Sequence, residues 1–208
     1  MSGGYGIVLA FAIFGGGAYL GVRALEALLA LRVPKAERPS PFDDRLVGAL
    51  ALVTGAAGAF NVAQSIVPVS LVTIGCFCLV LDFACCADLR FGHVPLAIGL
   101  PFAVAGASLD LATGDVVSLM VGLLIATPFA VASLVSKRRA AGLGDAAVAA
   151  LGGFVLGTQL GVISVALACF AAAGTGLALK RQGSSIPFAP FLALIFQVAL
   201  FVPAARAL

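Results

Sequence analysis

Charge is scarce in this chain, and its scarcity excludes a water-soluble domain. Only 10% of the 208 residues are charged, 62% are hydrophobic, and the mean hydropathy is +1.18, far outside the range of a protein that folds in water. Histidine is reduced to one residue, His93, and no Gly-x-Ser-x-Gly elbow occurs, so serine chemistry lacks both a choice of base and its usual turn. The five cysteines, Cys76, Cys78, Cys85, Cys86 and Cys169, all fall in apolar segments with no histidine at metal-ligand spacing. They read as small packing residues, and the chain is expected to hold no metal and no cofactor. No basic residue stands before the first apolar run, Gly6 to Leu31, which is therefore expected to be a retained helix and not a cleaved signal. The net charge of +3 is no nucleic-acid footprint, because ten of the twelve basic residues lie in or beside short gaps between apolar runs. They report membrane topology.

What is present is apolar length. A helix crosses ~30 Å of hydrocarbon with ~20 residues, and the runs here predict an all-α polytopic membrane protein of about eight transmembrane helices joined by short loops. The first spans about Tyr5 to Leu31, with Arg23 and Glu26 spaced to pair on one face near its end. Arg32 to Arg45 follows, with three prolines and seven charges, and is a solvated loop. It divides the chain into residues 1–45 and a main membrane domain, 46–208. The run Leu46 to Leu81 would be ~54 Å as one helix, so it must turn, and Gln64, Ser65 and Pro68 mark the place. The third helix is expected to end at Asp88, the fourth to run from about Pro95 to Ala112, and the fifth from Val116 to Ser136 before Lys137 to Arg139. Asp145 to Leu179 is again too long for one crossing and is expected to turn near Thr158 to Gly161. A last helix is expected over about Ile186 to Ala205.

Alternating these crossings puts Arg32 to Arg45, Arg90, Lys137 to Arg139, Lys180 and Arg181 on one side, which the positive-inside rule makes cytoplasmic, with both termini outside. Asp88 and Asp145 then share the cytoplasmic membrane edge. Asp110 and Asp115 fall at the outer side and read as solvated turn residues. Asp145 is the more unusual acid, because it follows Gly142-Leu-Gly144 and precedes a stretch, Ala146 to Leu179, with no charge at all. Ionisation there is costly unless the group is solvated, paired or doing chemistry. A plain helix N-cap role, accepting from the first free amides, is open beside the functional one.

Two carboxyls within a few ångströms cannot both ionise cheaply, so the pair holds one shared proton. Such a pair hydrolyses peptides without metal or covalent intermediate: one member takes a proton from water, the other hydrogen-bonds the substrate carbonyl. His93 reads as an interfacial loop residue near that site. Asp82, six residues before Asp88 and so ~9 Å deeper, either tunes protonation or bonds to Ser, Thr or Asn of a neighbouring helix. A proton-coupled carrier lined by Asp82, Asp88 and Asp145 is the competing class.

Three stretches resemble the type IV prepilin peptidases: Asp88 to Pro95 (DLRFGHVP), Gly142 to Asp145 (GLGD, continued by ALG at Ala150 to Gly152), and Ile186 to Leu194 (IPFAPFLAL). Their order and shared membrane side make the likeness more specific than Gly-x-Gly-Asp alone. The resemblance implies Asp88 and Asp145 as the catalytic pair, with Arg90, Pro95, Gly142, Gly144, Pro187 and Pro190 binding substrate or supporting the site. It implies an enzyme of a bacterial inner membrane whose partners are a prepilin or pseudopilin substrate and lipid. Glu37, Asp43 and Asp44 can attract the leader's lysines. The sequence departs from the family at Leu96, where relatives carry Asn or Asp, and at Ala147, where a Lys is common. Residues 1–45 resemble a reduced form of the methyltransferase-like region; their fourteen-residue loop holds no cysteine, which predicts no zinc and argues against N-methylation by S-adenosylmethionine.

Overall fold

The structure, a computed structural model, describes residues 3–31, 41–64, 68–135, 142–178 and 186–202. All regular structure among them is helical: α1 (Gly3–Leu31), α2 (Asp44–Ala63), α3 (Pro68–Phe91), α4 (Leu96–Thr113), α5 (Val116–Val135), α6 (Leu143–Ala178) and α7 (Ala189–Ala199). Six, α1 to α6, are long and apolar enough to cross a membrane. The count expected from sequence is about eight; six are found among the described residues. The basic runs at Lys137 to Arg139 and Lys180 to Arg181, most of the loop after α1, Ser65, Ser136 and Ala205 lie outside the described residues.

Local chemistry explains where the helix ends differ from expectation. α3 continues past Asp88 to Phe91 and stops at Gly92, whose φ of 68° is the left-handed cap that glycine adopts without strain. Asp88 therefore sits inside the last turn, with its carbonyl accepting from Gly92 N at 2.8 Å. α7 starts at Ala189 and not Ile186, with Pro190 in its first turn. It ends at Ala199, and its eleven residues make ~16 Å, too short to cross. Asp110 is buried in the last turn of α4 (8% exposed), which overturns its reading as a solvated residue. Asp115 behaves as expected of a turn acid: it accepts from Ser118 N at 3.0 Å, and that bond holds its carboxyl below the usual range.

α6 is the centre of the bundle, touching α3, α4, α5 and α7, while α1 packs mainly on α2. Its thirty-six residues are broken at Gly157, where φ 71° and ψ −171° fall in a region open essentially to glycine alone. The two arms double back on each other, since a Cβ at Gly161 would stand 3.2 Å from Gly153 Cα, whereas eight residues of straight helix span ~12 Å. The inner core gathers Phe77, Leu81, Val148, Leu151, Leu192 and Phe196. The outward faces carry bare Leu20, Val72, Leu124, Leu134 and Phe170, a surface suited to lipid tails and not to water. Replacing Gly157 with Ala is expected to cost about 1–3 kcal/mol of backbone strain, read as a lowered unfolding temperature of the detergent-solubilised protein.

Candidate active site

The bundle buries two carboxyls at one end, and each is held by a backbone amide near a helix start. Asp88, 3% exposed, receives Ala189 N on Oδ2 at 2.8 Å. The local sequence explains why that amide is available: Ala189 is the first residue of α7, so its N–H has no partner within the helix. Pro187 and Pro190 fix the start there, since neither can supply an amide hydrogen of its own.

Asp145, 5% exposed, is the third residue of α6. Its Oδ2 accepts from Gly142 N at 2.8 Å, while Gly142 O accepts from Asp145 N at 3.1 Å. This is the reaching-back half of a capping box; Asp145 is not the N-cap itself. Oδ1 of Asp145 is buried and has no hydrogen-bond partner among the described residues. Asp88 and His93 both act on Asp145 electrostatically, and His93 acts on Asp88 as well. The two acids thus lie at the same end of the bundle, with exposed His93 between them in sequence, its Nδ1 3.0 Å from Phe91 O.

Glycine at 144 makes this approach possible. A Cβ there would stand 2.8 Å from Val94 C and would overlap Val94 O, so the first turn of α6 presses directly on the loop that follows Asp88's helix. Gly142 differs, because a Cβ there would lie 3.4 Å from Asp145 Oδ2, an ordinary contact. Pro95 caps α4 with φ −64°, and its carbonyl receives Ile98 N and Gly99 N. Gly99 in turn lies under Ala147, whose Cβ would be 3.2 Å from one added at Gly99; a small residue at 147 suits this seam. Arg90 reaches Pro41 O at 3.1 Å and lies over the Phe91 ring, tying the end of α3 to the segment before α2. Of the acids in that segment, Asp44 pairs with Arg23 and Asp43 caps α2 through Arg45 N; Glu37 lies outside the described residues.

An apolar trough of about 360 Å³ opens beside the pair, starting at Leu143, Ala146 and Ala147 and running between α4 and α5 toward Ala107, Leu123 and Phe154. Deeper in the bundle, Asp82 bonds to Thr54 on α2, as the sequence allowed, and to Gln197 on α7. Gln197 and the Ala189 amide were not singled out from sequence. A lone glutamine in an otherwise apolar helix was the available signal; a backbone amide leaves none. Among the described residues no three His, Cys, Asp or Glu side chains gather to hold a metal.

Comparison of the chain with family models, with curated proteins and with solved structures finds no match. Gly144→Ala is expected to destabilise the protein by about 1–3 kcal/mol through overpacking against Val94, whereas Gly142→Ala stays within about 0.5 kcal/mol. Thermal unfolding of the two variants in one detergent checks the contrast.

Proposed function

We propose that this chain is an aspartic endopeptidase of the membrane, a short-form relative of the type IV prepilin peptidases, which removes the basic leader from prepilins or pseudopilins. The observation that supports this best is the placing of Asp88 and Asp145, two buried carboxyls from different helices, at one end of the bundle with Asp88 near enough to bear on the charge of Asp145. Each has one oxygen fixed by a backbone amide, and Oδ1 of Asp145 has no partner among the described residues. With one proton between them, the ionised carboxylate takes a proton from water as that water attacks the scissile carbonyl carbon. The protonated carboxyl hydrogen-bonds the carbonyl oxygen. When the tetrahedral intermediate collapses, the amide nitrogen accepts a proton and leaves as the new amino terminus.

The acids lie at the end of the bundle where α3 ends and α6 begins, beside the stretches in which the sequence concentrates its basic residues. The positive-inside rule then makes that side cytoplasmic in a bacterial inner membrane. A leader rich in lysine is repelled by the hydrocarbon and attracted by exposed Asp43, while the apolar segment behind it lies along the trough at Ala107 and Leu123. The scissile bond then waits at the depth of the two acids. A carrier remains the competing class, and proton-dependent flux in liposomes without peptide cleavage would mark it.

Co-expression with a prepilin, followed by leader loss on a gel, tests the reading. Asp88→Asn and Asp145→Asn are each expected to slow cleavage by about 10²–10⁴-fold, and wild-type rates in either variant would end the two-acid mechanism. Because activity needs one proton on the pair, the rate falls at low pH as both carboxyls protonate and at high pH as both ionise, a bell-shaped profile. Ala107→Phe narrows the trough and is expected to raise KM about ten-fold with kcat little changed, since it removes binding shared by ground and transition states.

A further inference from the structure

Asp82 is 1% exposed and lies outside the pair, yet both its oxygens are engaged: Thr54 Oγ1 donates to Oδ2 at 2.8 Å and Gln197 Nε2 to Oδ1 at 2.5 Å. Gln197 Nε2 also reaches Thr54 Oγ1 at 3.3 Å, closing a triangle between α2, α3 and α7. A carboxylate at this depth is a poor source of stability, because desolvation offsets what its bonds return. What such a group does supply is register.

Few other contacts mark the register of α7: Asn61 Nδ2 reaches Leu200 O at 3.3 Å just past its end, and the Phe196 ring packs over Gly152. The sequence of α7, APFLALIFQVA, contains one hydrogen-bonding side chain, Gln197; the rest packs through apolar contacts that a slip of one turn, ~5.4 Å, would largely replace. α3 and α7 run antiparallel and are joined at two levels, Asp82 to Gln197 and Asp88 to the Ala189 amide. The upper bond depends on α7 starting opposite Asp88, but it is to backbone and carries no side-chain identity. The lower bond does.

We propose that Asp82, through Gln197 and Thr54, is a positioning residue that holds the register of α7 on α3, so that the Ala189 amide meets Asp88 and holds it toward Asp145. The proposal rests on the endopeptidase reading for its catalytic consequence, while the register itself can be observed without catalysis.

The test uses the full-length protein in detergent, with Asp82→Ala, the milder Asp82→Asn and Thr54→Val, and the exchanged pair Asp82→Asn with Gln197→Glu. Cleavage of a prepilin by Asp82→Ala is expected to lose about ten- to a hundred-fold in kcat, the scale of a misplaced catalytic group, with KM little changed. The exchanged pair restores kcat to near wild type, because a carboxylate again faces an amide donor. Amide hydrogen exchange supplies the readout independent of catalysis: residues 186–192, at the far end of α7 from Gln197, exchange faster in Asp82→Ala and return to wild-type protection in the exchanged pair. Should Asp82→Ala not fold, Asp82→Asn and Thr54→Val are expected to give the same two effects in smaller degree. Unchanged exchange at 186–192 in the folded variants overturns the proposal, as does a loss confined to KM or a folded exchanged pair that restores neither readout. A wild-type protein that cuts no prepilin but shows the expected exchange pattern sinks the endopeptidase reading and leaves the register standing.

Discussion

A carboxyl buried among apolar helices needs a donor, and in this bundle the bond from the Ala189 amide to Asp88 is the one on which the site's arrangement depends. Side-chain donors are few in a chain so poor in charge, and a basic partner at this depth would bring a second desolvation cost. A helix start solves the problem with backbone alone, since its first amides have no partner within the helix. The solution fixes much else: α7 must begin at residue 189, Pro187 and Pro190 must flank it, and α7 must lie antiparallel on α3. Asp145 uses the same device from within its own helix, through the Gly142 amide.

Bringing the two acids together is then a matter of how closely backbones approach. Helices in lipid gain little from apolar burial as such, because the tails are as apolar as leucine, so association relies on close packing of small residues. α6 follows that rule along its length. Gly144 lies against Val94, Gly99 under Ala147, Gly153 against Gly122, and Gly161 against Gly153. The first of these contacts sets the depth of Asp145 and the others prevent α6 from tilting away. The Gly-x-Gly-Asp stretch thus has a physical division of labour, in which Gly144 provides clearance and Gly142 provides an amide.

How much of this was legible follows from what each feature depends on. Apolar run lengths required the breaks near residue 64 and near residue 157, because they depend only on rise per residue and bilayer thickness. The break at Gly157 came one residue before the expected turn, since it uses a positive φ that composition alone does not assign among Gly157, Thr158 and Gly161. The run lengths overcounted crossings where α7 is short, because hydropathy over Ile186 to Ala205 does not register two prolines that delay the helix. Asp110 was misjudged by treating a charge near a turn as solvated; α4 runs on to Thr113, leaving Asp110 on a packed face. The acids of the site were visible as charges where charge is rare, whereas their amide partners and the Asp82–Gln197 bond arise only from tertiary contact.

α3 is anchored by Asp82, Asp88 and Arg90, and the segment before α2 holds it from another side. Arg23 pairs with Glu26 at 2.7 Å, and Glu26 Oε1 accepts from Phe42 N at 2.5 Å while Arg23 donates to Phe42 O. A partly exposed ion pair of this kind contributes about 0.2–1 kcal/mol. Withdrawing the Phe42 ring from water is worth about 1.5–3 kcal/mol, and that ring is 4% exposed between Phe83 and Phe91 of α3. The ion pair therefore orients the segment and the aromatic contact holds it. Phe83 and Phe91 bracket Asp88 in sequence, so the segment before α2 clamps α3 on one side while α7 grips it on another through Asp82 and Asp88. An acid that must meet a partner on α6 is carried by the one helix that its neighbours hold from both sides.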